Sequence, residues 1–321
     1  MKRIMKRLIM FVLALLLVLP LAACGNGASP EGESGGTEQS TPAGQGTDDG
    51  VLKVLMIGNS FSYYYVDELY GLLKNAGIDA VVANVYHSGC SLSEHVGAYN
   101  GEKDILYDYC VTDSSGRLES LDVNLEHCLN ADDWDVISIQ QHFYPSLTET
   151  YQRALASCTP YAEELVGIIR QYEPNAKILW HQTWAYQVGY DRGDPVATVD
   201  VQARQYETIR DVSHTLSEEL SLPIVPSGDA WQIARADPLI GDTLCVDSTR
   251  PKENPGAGDY YHDGNVGGGQ YLNACTWFEI LTGKSPVGNL FYPDYAITRE
   301  QMKALQNAAH QAVQELGDQY K

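Results

Sequence analysis

The chain has 321 residues, 42 acidic against 21 basic for a formal charge of −21, with 44% hydrophobic and 20% charged residues. That apolar content describes a globular protein, since a disordered chain carries far fewer apolar residues for so large a charge. The acidic excess excludes nucleic acid as a partner, because phosphate binding relies on Lys and Arg that this surface lacks.

Residues 1–23 have the parts of an export signal: a basic start with Lys2, Arg3, Lys6 and Arg7, an apolar run over 8–19, and small residues before a cleavage point. The run is shorter than the roughly 20 residues that span a bilayer comfortably. Leu21-Ala22-Ala23-Cys24 resembles the bacterial lipobox, which implies a lipidated Cys24 as the new N-terminus. The other reading is an ordinary signal peptide or membrane anchor with a chance Cys. Acyl chains gain roughly 0.8 kcal/mol per buried methylene, so a multiply acylated Cys24 holds the protein at a membrane face. Residues 24–50 are rich in Gly, Ser, Thr and Pro, carry no Lys or Arg, and read as a flexible linker. Removing the signal leaves 17 basic residues against 42 acidic, a balance of −25. Residues 51–321 are then one large domain.

Six cysteines remain besides Cys24: Cys90, Cys110, Cys128, Cys158, Cys245 and Cys275. An exported location permits disulfides, but six cysteines allow fifteen pairings and a domain of this size does not need bridges, so buried thiols and disulfides both stand. None of the spacings is zinc-like.

Residues 51–57 (VLKVLMI) form a nearly continuous apolar run, as in a strand buried on both faces of a parallel sheet. The turn Gly58-Asn59-Ser60-Phe61-Ser62 follows, then a helix with Val66, Leu69, Leu72 and Leu73 on one face, ended by Gly77. Residues 80–85 are a second strand, leading to His87-Ser88-Gly89-Cys90 and a polar, tyrosine-rich stretch over 99–121. The pattern predicts a helix over 121–129, a strand over 135–139 ending on Gln140-Gln141-His142, a helix within 148–172 and a strand over 176–180. Beyond these come a helix over 201–220, a short strand at 224–225, and helices over 229–235, 270–281 and 299–316. Strands alternating with helices over this length predict a parallel sheet covered on both sides. In such a sheet the reacting groups lie on loops at the carboxyl ends of the strands. Those loops are 58–62, 87–91, 140–144, 181–186 and the long irregular stretch 247–269.

A serine nucleophile needs a base, a group that orients the base, and donors aimed at the developing oxyanion. Ser60 stands where a strand turns into a helix, which suits a nucleophile and equally suits a helix cap. Among the histidines, His127, His214 and His310 fall inside predicted helices and read as solvated or packed. His87, His95, His142, His181 and His262 stay open as bases. His262 stands out because Asp259, three residues earlier in a Gly-rich loop, can bond one ring nitrogen and leave the other for the serine.

Together these segments resemble the SGNH (GDSL-like) hydrolases, named for Ser, Gly, Asn and His in four separated blocks. The first block is similar to residues 54–62, placing the nucleophile on Ser60. The second resembles Ser88-Gly89-Cys90, placing an oxyanion-hole amide on Gly89. The last resembles Asp259-Tyr260-Tyr261-His262. More narrowly, the Gly-Asn-Ser-Phe-Ser start, Trp134-Asp135-Val136-Ile137 running into Gln140, Gln182-Thr183-Trp184-Ala185 and Gly228-Asp229-Ala230-Trp231 are similar to a bacterial exported branch catalogued as a domain of unknown function. The resemblance implies a three-layer α/β/α fold with a central parallel sheet, flavodoxin-like in plan.

The third block departs from the pattern, with Gln140-Gln141-His142 where the family carries Gly-x-Asn-Asp. A glutamine amide can make the asparagine's hydrogen bond from one methylene further away. Alternate residues of a strand face opposite ways, so one glutamine serves the oxyanion, and Gln140 is favoured over Gln141. In the last block Asp263 stands beside His262 as a competing partner, with Asp259 kept as the orienting acid. Tyr63, Trp184 and Tyr261 are candidate platforms for sugar rings, among several aromatic residues on the same loops.

These residues imply a serine esterase acting on small acyl groups, acetyl above all, carried on carbohydrate, with no metal or organic cofactor. The rival is a glycan-binding surface lipoprotein that keeps the fold without turnover. A flavodoxin-like phosphate binder is disfavoured, because the 58–62 turn has a single Gly and no basic residue.

Overall fold

Val54 and Met56 pack into one hydrophobic core and Leu55 and Ile57 into another, so the first strand is buried on both sides. The computed structural model of the chain describes residues 49–189, 196–241, 268–293 and 297–321. In chain order the elements are β1 (Leu52–Gly58), α1 (Ser60–Tyr63), α2 (Val66–Asn75), β2 (Ala80–Tyr86), α3 (Leu92–Tyr99), β3 (Tyr107–Asp113), β4 (Gly116–Val123), α4 (Leu125–Leu129) and β5 (Val136–Ile139). After a 3-10 turn at Pro145–Glu149 come α5 (Tyr151–Ala156), α6 (Thr159–Tyr172), β6 (Lys177–His181), α7 (Val199–Leu220), β7 (Ile224–Val225), α8 (Ser227–Ala236), α9 (Gly268–Thr282) and α10 (Arg299–Glu315).

The seven strands form one sheet in the order β4-β3-β2-β1-β5-β6-β7. The five from β2 to β7 run parallel, and their order is the flavodoxin-like doubly wound one, with β1 at the point where the winding reverses. Helices α2, α8, α9 and α10 cover one face, and α3, α4, α6 and α7 the other. The expected three-layer α/β/α architecture is therefore present.

One edge differs from the expectation. The tyrosine-rich stretch is an antiparallel hairpin, β3 and β4, added beside β2. Its outer strand is exposed along nearly its whole length, so its side chains alternate with no buried set to betray a strand. The helix expected over 121–129 is correspondingly shorter, because residues 121–123 close β4. The helix expected within 148–172 is two helices, broken at Ser157-Cys158, with Pro160 in the first turn of α6 where its missing N–H costs no helical bond.

α9 is buried along almost its entire length, packed against α2, α8 and α10. Its buried Glu279 is paired, accepting from His310 Nδ1 at 2.9 Å and from Gln314 Nε2 at 2.9 Å. Cys90, Cys110, Cys128, Cys158 and Cys275 are buried free thiols, while Cys245 lies outside the described residues. For those five the bridged alternative does not hold.

Candidate active site

β1 delivers the chain to its carboxyl end at Gly58, and the next residue organises the site. Asn59 is the N-cap of α1 and its Oδ1 accepts from Phe61 N–H at 2.9 Å. The capping role open to Ser60 therefore belongs to its neighbour. Ser60 is the first helical residue, half-buried, and its hydroxyl makes no hydrogen bond among the described residues. Asn59 Nδ2 donates to Cys90 O at 2.8 Å, tying this turn to the loop after β2. Beneath it, Asn84 Nδ2 donates to Met56 O at 3.1 Å and to Ser62 Oγ at 2.9 Å. The turn is thus held from both ends by buried amides. Gly58 has no space for a side chain, since a Cβ there would lie 2.6 Å from Ser62 Oγ and 2.7 Å from Gln140 Oε1.

The loop after β2 is a tight turn closed by Cys90 N–H to His87 O at 3.2 Å, with Gly89 at φ +66°, a backbone angle that a β-carbon disfavours. Gly89 O accepts from His142 Nδ1 at 3.0 Å, which fixes that nitrogen as the protonated one. His142 Nε2 then accepts from the Tyr186 hydroxyl at 2.9 Å. Neither the Ser60 nor the Gly89 backbone N–H has an acceptor among the described residues. Two unbonded amides at adjacent strand ends suit an anionic oxygen.

The two glutamines after β5 are used differently. Gln140, 1% exposed, donates from Nε2 to Asn59 Oδ1 at 2.9 Å, and its Oε1 faces His181 Nδ1 at 3.3 Å. His181 Nε2 lies 3.0 Å from Ser227 Oγ. Complete burial pushes the His181 imidazole down to about 3, so it is neutral. Gln141 turns the other way: its Nε2 donates to Ser157 O at 2.8 Å, and its Oε1 accepts from Leu92 N–H at 3.2 Å and His142 N–H at 2.9 Å. Gln141 therefore joins α3 to the end of α5, and Gln140 is the one beside the Ser60 turn.

The aromatic residues separate in the same manner. Trp184, 2% exposed, stacks on Trp231 with centroids 4.7 Å apart and meets Phe61 at 4.6 Å. It is a wall of the core behind α1 rather than an open platform. Tyr63 has Tyr86 at 4.5 Å and the Arg117 guanidinium at 5.1 Å from its ring, and its hydroxyl donates to Glu119 at 3.0 Å. Its ring is thus spent on holding the β3–β4 hairpin. Tyr144 is the exposed ring near the site, 40% accessible, centred 3.8 Å from His142 and with its hydroxyl beside Gly89. Asp259, Tyr261 and His262 lie outside the described residues, as does Cys24.

Sequence reasoning passed over Asn59 as a hub and His181 as its distant support. The signal for such residues was polarity out of place: Asn84 inside an apolar strand, and His181 ending one. Two more were hidden in a helix. Gln205 of α7 accepts from Tyr186 N–H at 3.0 Å and donates to Phe143 O at 3.2 Å, and Gln202 donates to Tyr186 O at 2.9 Å. They lash the loops after β5 and β6 to one helix. Among the described residues no group of three or more His, Cys, Asp or Glu could hold a metal ion.

A family model described as a domain of unknown function, DUF4886, matches residues 53–312. Among solved structures, a DUF4886 family protein from Bacteroides uniformis is 31% identical, with a TM-score of 0.68, covering 83% of this chain and 95% of that one. An acetylxylan esterase from Geobacillus stearothermophilus is 15% identical with a TM-score of 0.43, covering 75% of this chain and 96% of that one. A search of curated proteins found no match.

Proposed function

The chain belongs to the DUF4886 family, and from that premise and the geometry around Ser60 we propose that it is a serine esterase releasing small acyl groups, acetyl above all, from carbohydrate. The observation that carries the reading is Ser60 itself. It sits at the winding switch point of the sheet, relieved of capping by Asn59, with hydroxyl and N–H both unbonded among the described residues and with Gly89 and Gln140 on the neighbouring strand ends. Helix-capping or packing serines use their hydroxyls.

In the proposed reaction His262, oriented by Asp259, takes the Ser60 proton as Oγ bonds to the ester carbonyl carbon. The carbonyl electron pair moves onto oxygen, which accepts from the N–H groups of Ser60 and Gly89 and from the Gln140 amide. As the carbonyl re-forms, the sugar oxygen leaves with the proton from His262. Water, deprotonated by the same histidine, then adds to the acyl carbon; the bond to Ser60 Oγ breaks, Oγ takes the proton back from His262, and the acid is released. No cofactor enters the scheme. Tyr144 supports a sugar substrate, because it offers an aromatic face to the C–H surface of a ring beside the Gly89 amide.

The lipobox-like segment supports export and envelope anchoring through Cys24, with residues 24–50 as the tether. Loss of membrane-fraction protein in Cys24→Ser is the expected result.

The test of the activity is labelling of the purified protein by a fluorophosphonate, with acetate release from acetylated polysaccharide measured in parallel. Both signals are expected, and both are lost in Ser60→Ala. A folded protein that binds the glycan but takes no label and frees no acetate would be the non-catalytic lipoprotein instead.

A further inference from the structure

A side-chain amide has nearly the same shape either way round, so a glutamine that donates to an oxyanion needs something to choose which end faces the substrate. In this fold the choice is made in sequence by buried groups. Asn59 is fixed first, because one end of its amide meets a backbone donor, Phe61 N–H at 2.9 Å, and the other a backbone acceptor, Cys90 O at 2.8 Å. Its Oδ1 is therefore an acceptor toward Gln140, whose Nε2 donates to it at 2.9 Å. Gln140 Oε1 is left facing His181 Nδ1 at 3.3 Å.

A carbonyl oxygen only accepts, so His181 must carry its proton on Nδ1, and Nε2 must accept the Ser227 hydroxyl proton across 3.0 Å. The donors run in one direction, from Ser227 through His181 and Gln140 to Asn59. His181, Ser227 and Asn59 are fully buried and Gln140 nearly so, leaving no water to satisfy a reversed amide. With the opposite tautomer, Gln140 would turn its oxygen onto the Asn59 oxygen, or leave a buried lone pair facing another. Gln140 also lies against Gly58, so it has no room to swing aside.

We infer that His181 is a positioning residue for the Gln140 amide: Asn59 selects which end faces it, and His181, donating to Oε1, holds the far end in place, so that one N–H stays on Asn59 and the second is presented to the substrate oxygen beside Ser60. The second N–H has no acceptor among the described residues. The inference rests on the esterase reading. It assigns the buried histidine an effect on the transition state and none on ground-state binding, because Gln140 meets the oxygen only as negative charge develops.

The experiment compares wild type with His181→Leu and His181→Asn, using steady-state hydrolysis of an aryl acetate by the full exported chain and thermal unfolding to confirm folding. Asparagine places its Nδ2 where the histidine Nδ1 stood and keeps the donor. His181→Leu is expected to lose about 100-fold or more in kcat with KM within about twofold, the size of a lost oxyanion donor. His181→Asn is expected within about tenfold of wild type. Nitrogen NMR of the wild-type protein should show His181 protonated on Nδ1 alone at pH 7, a readout independent of activity and of whether His181→Leu folds. Full kcat in a folded His181→Leu, equal losses in both variants, or a proton on Nε2 would each overturn the inference while Ser60→Ala stays inactive. Activity surviving in Ser60→Ala would instead remove the esterase reading, and the inference with it.

Discussion

Gln140 and Asn59, 81 residues apart in the chain, are joined by one buried amide hydrogen bond of 2.9 Å. The bond spans β1 and β5, which are direct neighbours in the sheet, so it closes the ring of loops at the point where the winding reverses. The residue that caps α1 is thereby held by the strand end that supplies the third proposed donor. Cap and donor cannot be moved separately.

Gln140→Ala and Gln141→Ala should therefore fail in different ways. The first is expected to lower kcat by about 100-fold, the scale of one oxyanion donor, and, by stranding the buried His181 Nδ1–H, to cost about 1–3 kcal/mol of stability as well. The second strands the buried N–H of Leu92 and should cost about 1–3 kcal/mol of stability while leaving kcat of the folded fraction within a few-fold of wild type. Aryl acetate kinetics and urea unfolding of both variants decide it, and a kcat loss confined to Gln141→Ala would exchange their roles.

Glu68 is buried in α2 with no hydrogen-bond partner for Oε2 among the described residues, and burial raises its carboxyl to about 7. Its folded value lies above its unfolded one, so the stability it contributes is complete below about 4.5 and is lost as pH rises through about 7. The difference amounts to about 3 kcal/mol. Glu68→Gln should raise the unfolding temperature at pH 8 and change it little at pH 4.5. An equal effect at both values would mean that the charge is not the cause.

His95 and His181 act in the opposite sense. Burial lowers them to about 4 and about 3, so below about 6.5 the unfolded chain takes up protons that the folded chain refuses, and stability falls with pH. Each contributes a slope of about 1.4 kcal/mol per pH unit inside its window. In wild type the protonation of Glu68 offsets part of that slope. Urea midpoints between pH 6.5 and 5 should accordingly decline more steeply in Glu68→Gln than in wild type, and parallel curves would refute the assignment.

Residues 51–321 carry 17 basic residues against 37 acidic, so an anionic polysaccharide is repelled on approach. With acetylated xylan and acetylated pectin as substrates, kcat/KM should favour the neutral glycan at low ionic strength. The gap should narrow as salt screens the repulsion. A preference for pectin at low salt would contradict this.

The parallel core was legible because strands buried on both faces are written as apolar runs, and the expected strands 51–57, 80–85 and 135–139 each coincide with an observed strand to within a residue at either end. The hairpin was not, because Gly116–Val123 has almost no buried face and its partner strand mixes tyrosine with acidic residues. At the site, the loops that carry Ser60, Gly89 and Gln140 were found from their place at strand ends. The roles within those loops were harder to read. Tyr63 and Trp184 follow the right strands, yet whether a ring faces solvent depends on Tyr86, Arg117 and Trp231, which come from distant segments. The same limit hid Gln202 and Gln205, which look like ordinary polar positions of a helix until the loops after β5 and β6 are laid beside them.

β1 is hydrogen-bonded on both sides, to β2 and to β5, and sealed above and below by the two helical layers. Its amides can exchange with deuterium only when the whole domain opens, so residues 54–57 should be the slowest to exchange in the protein. Ser60 sits three residues beyond that segment. The proposed nucleophile is thus mounted directly on the segment expected to open last.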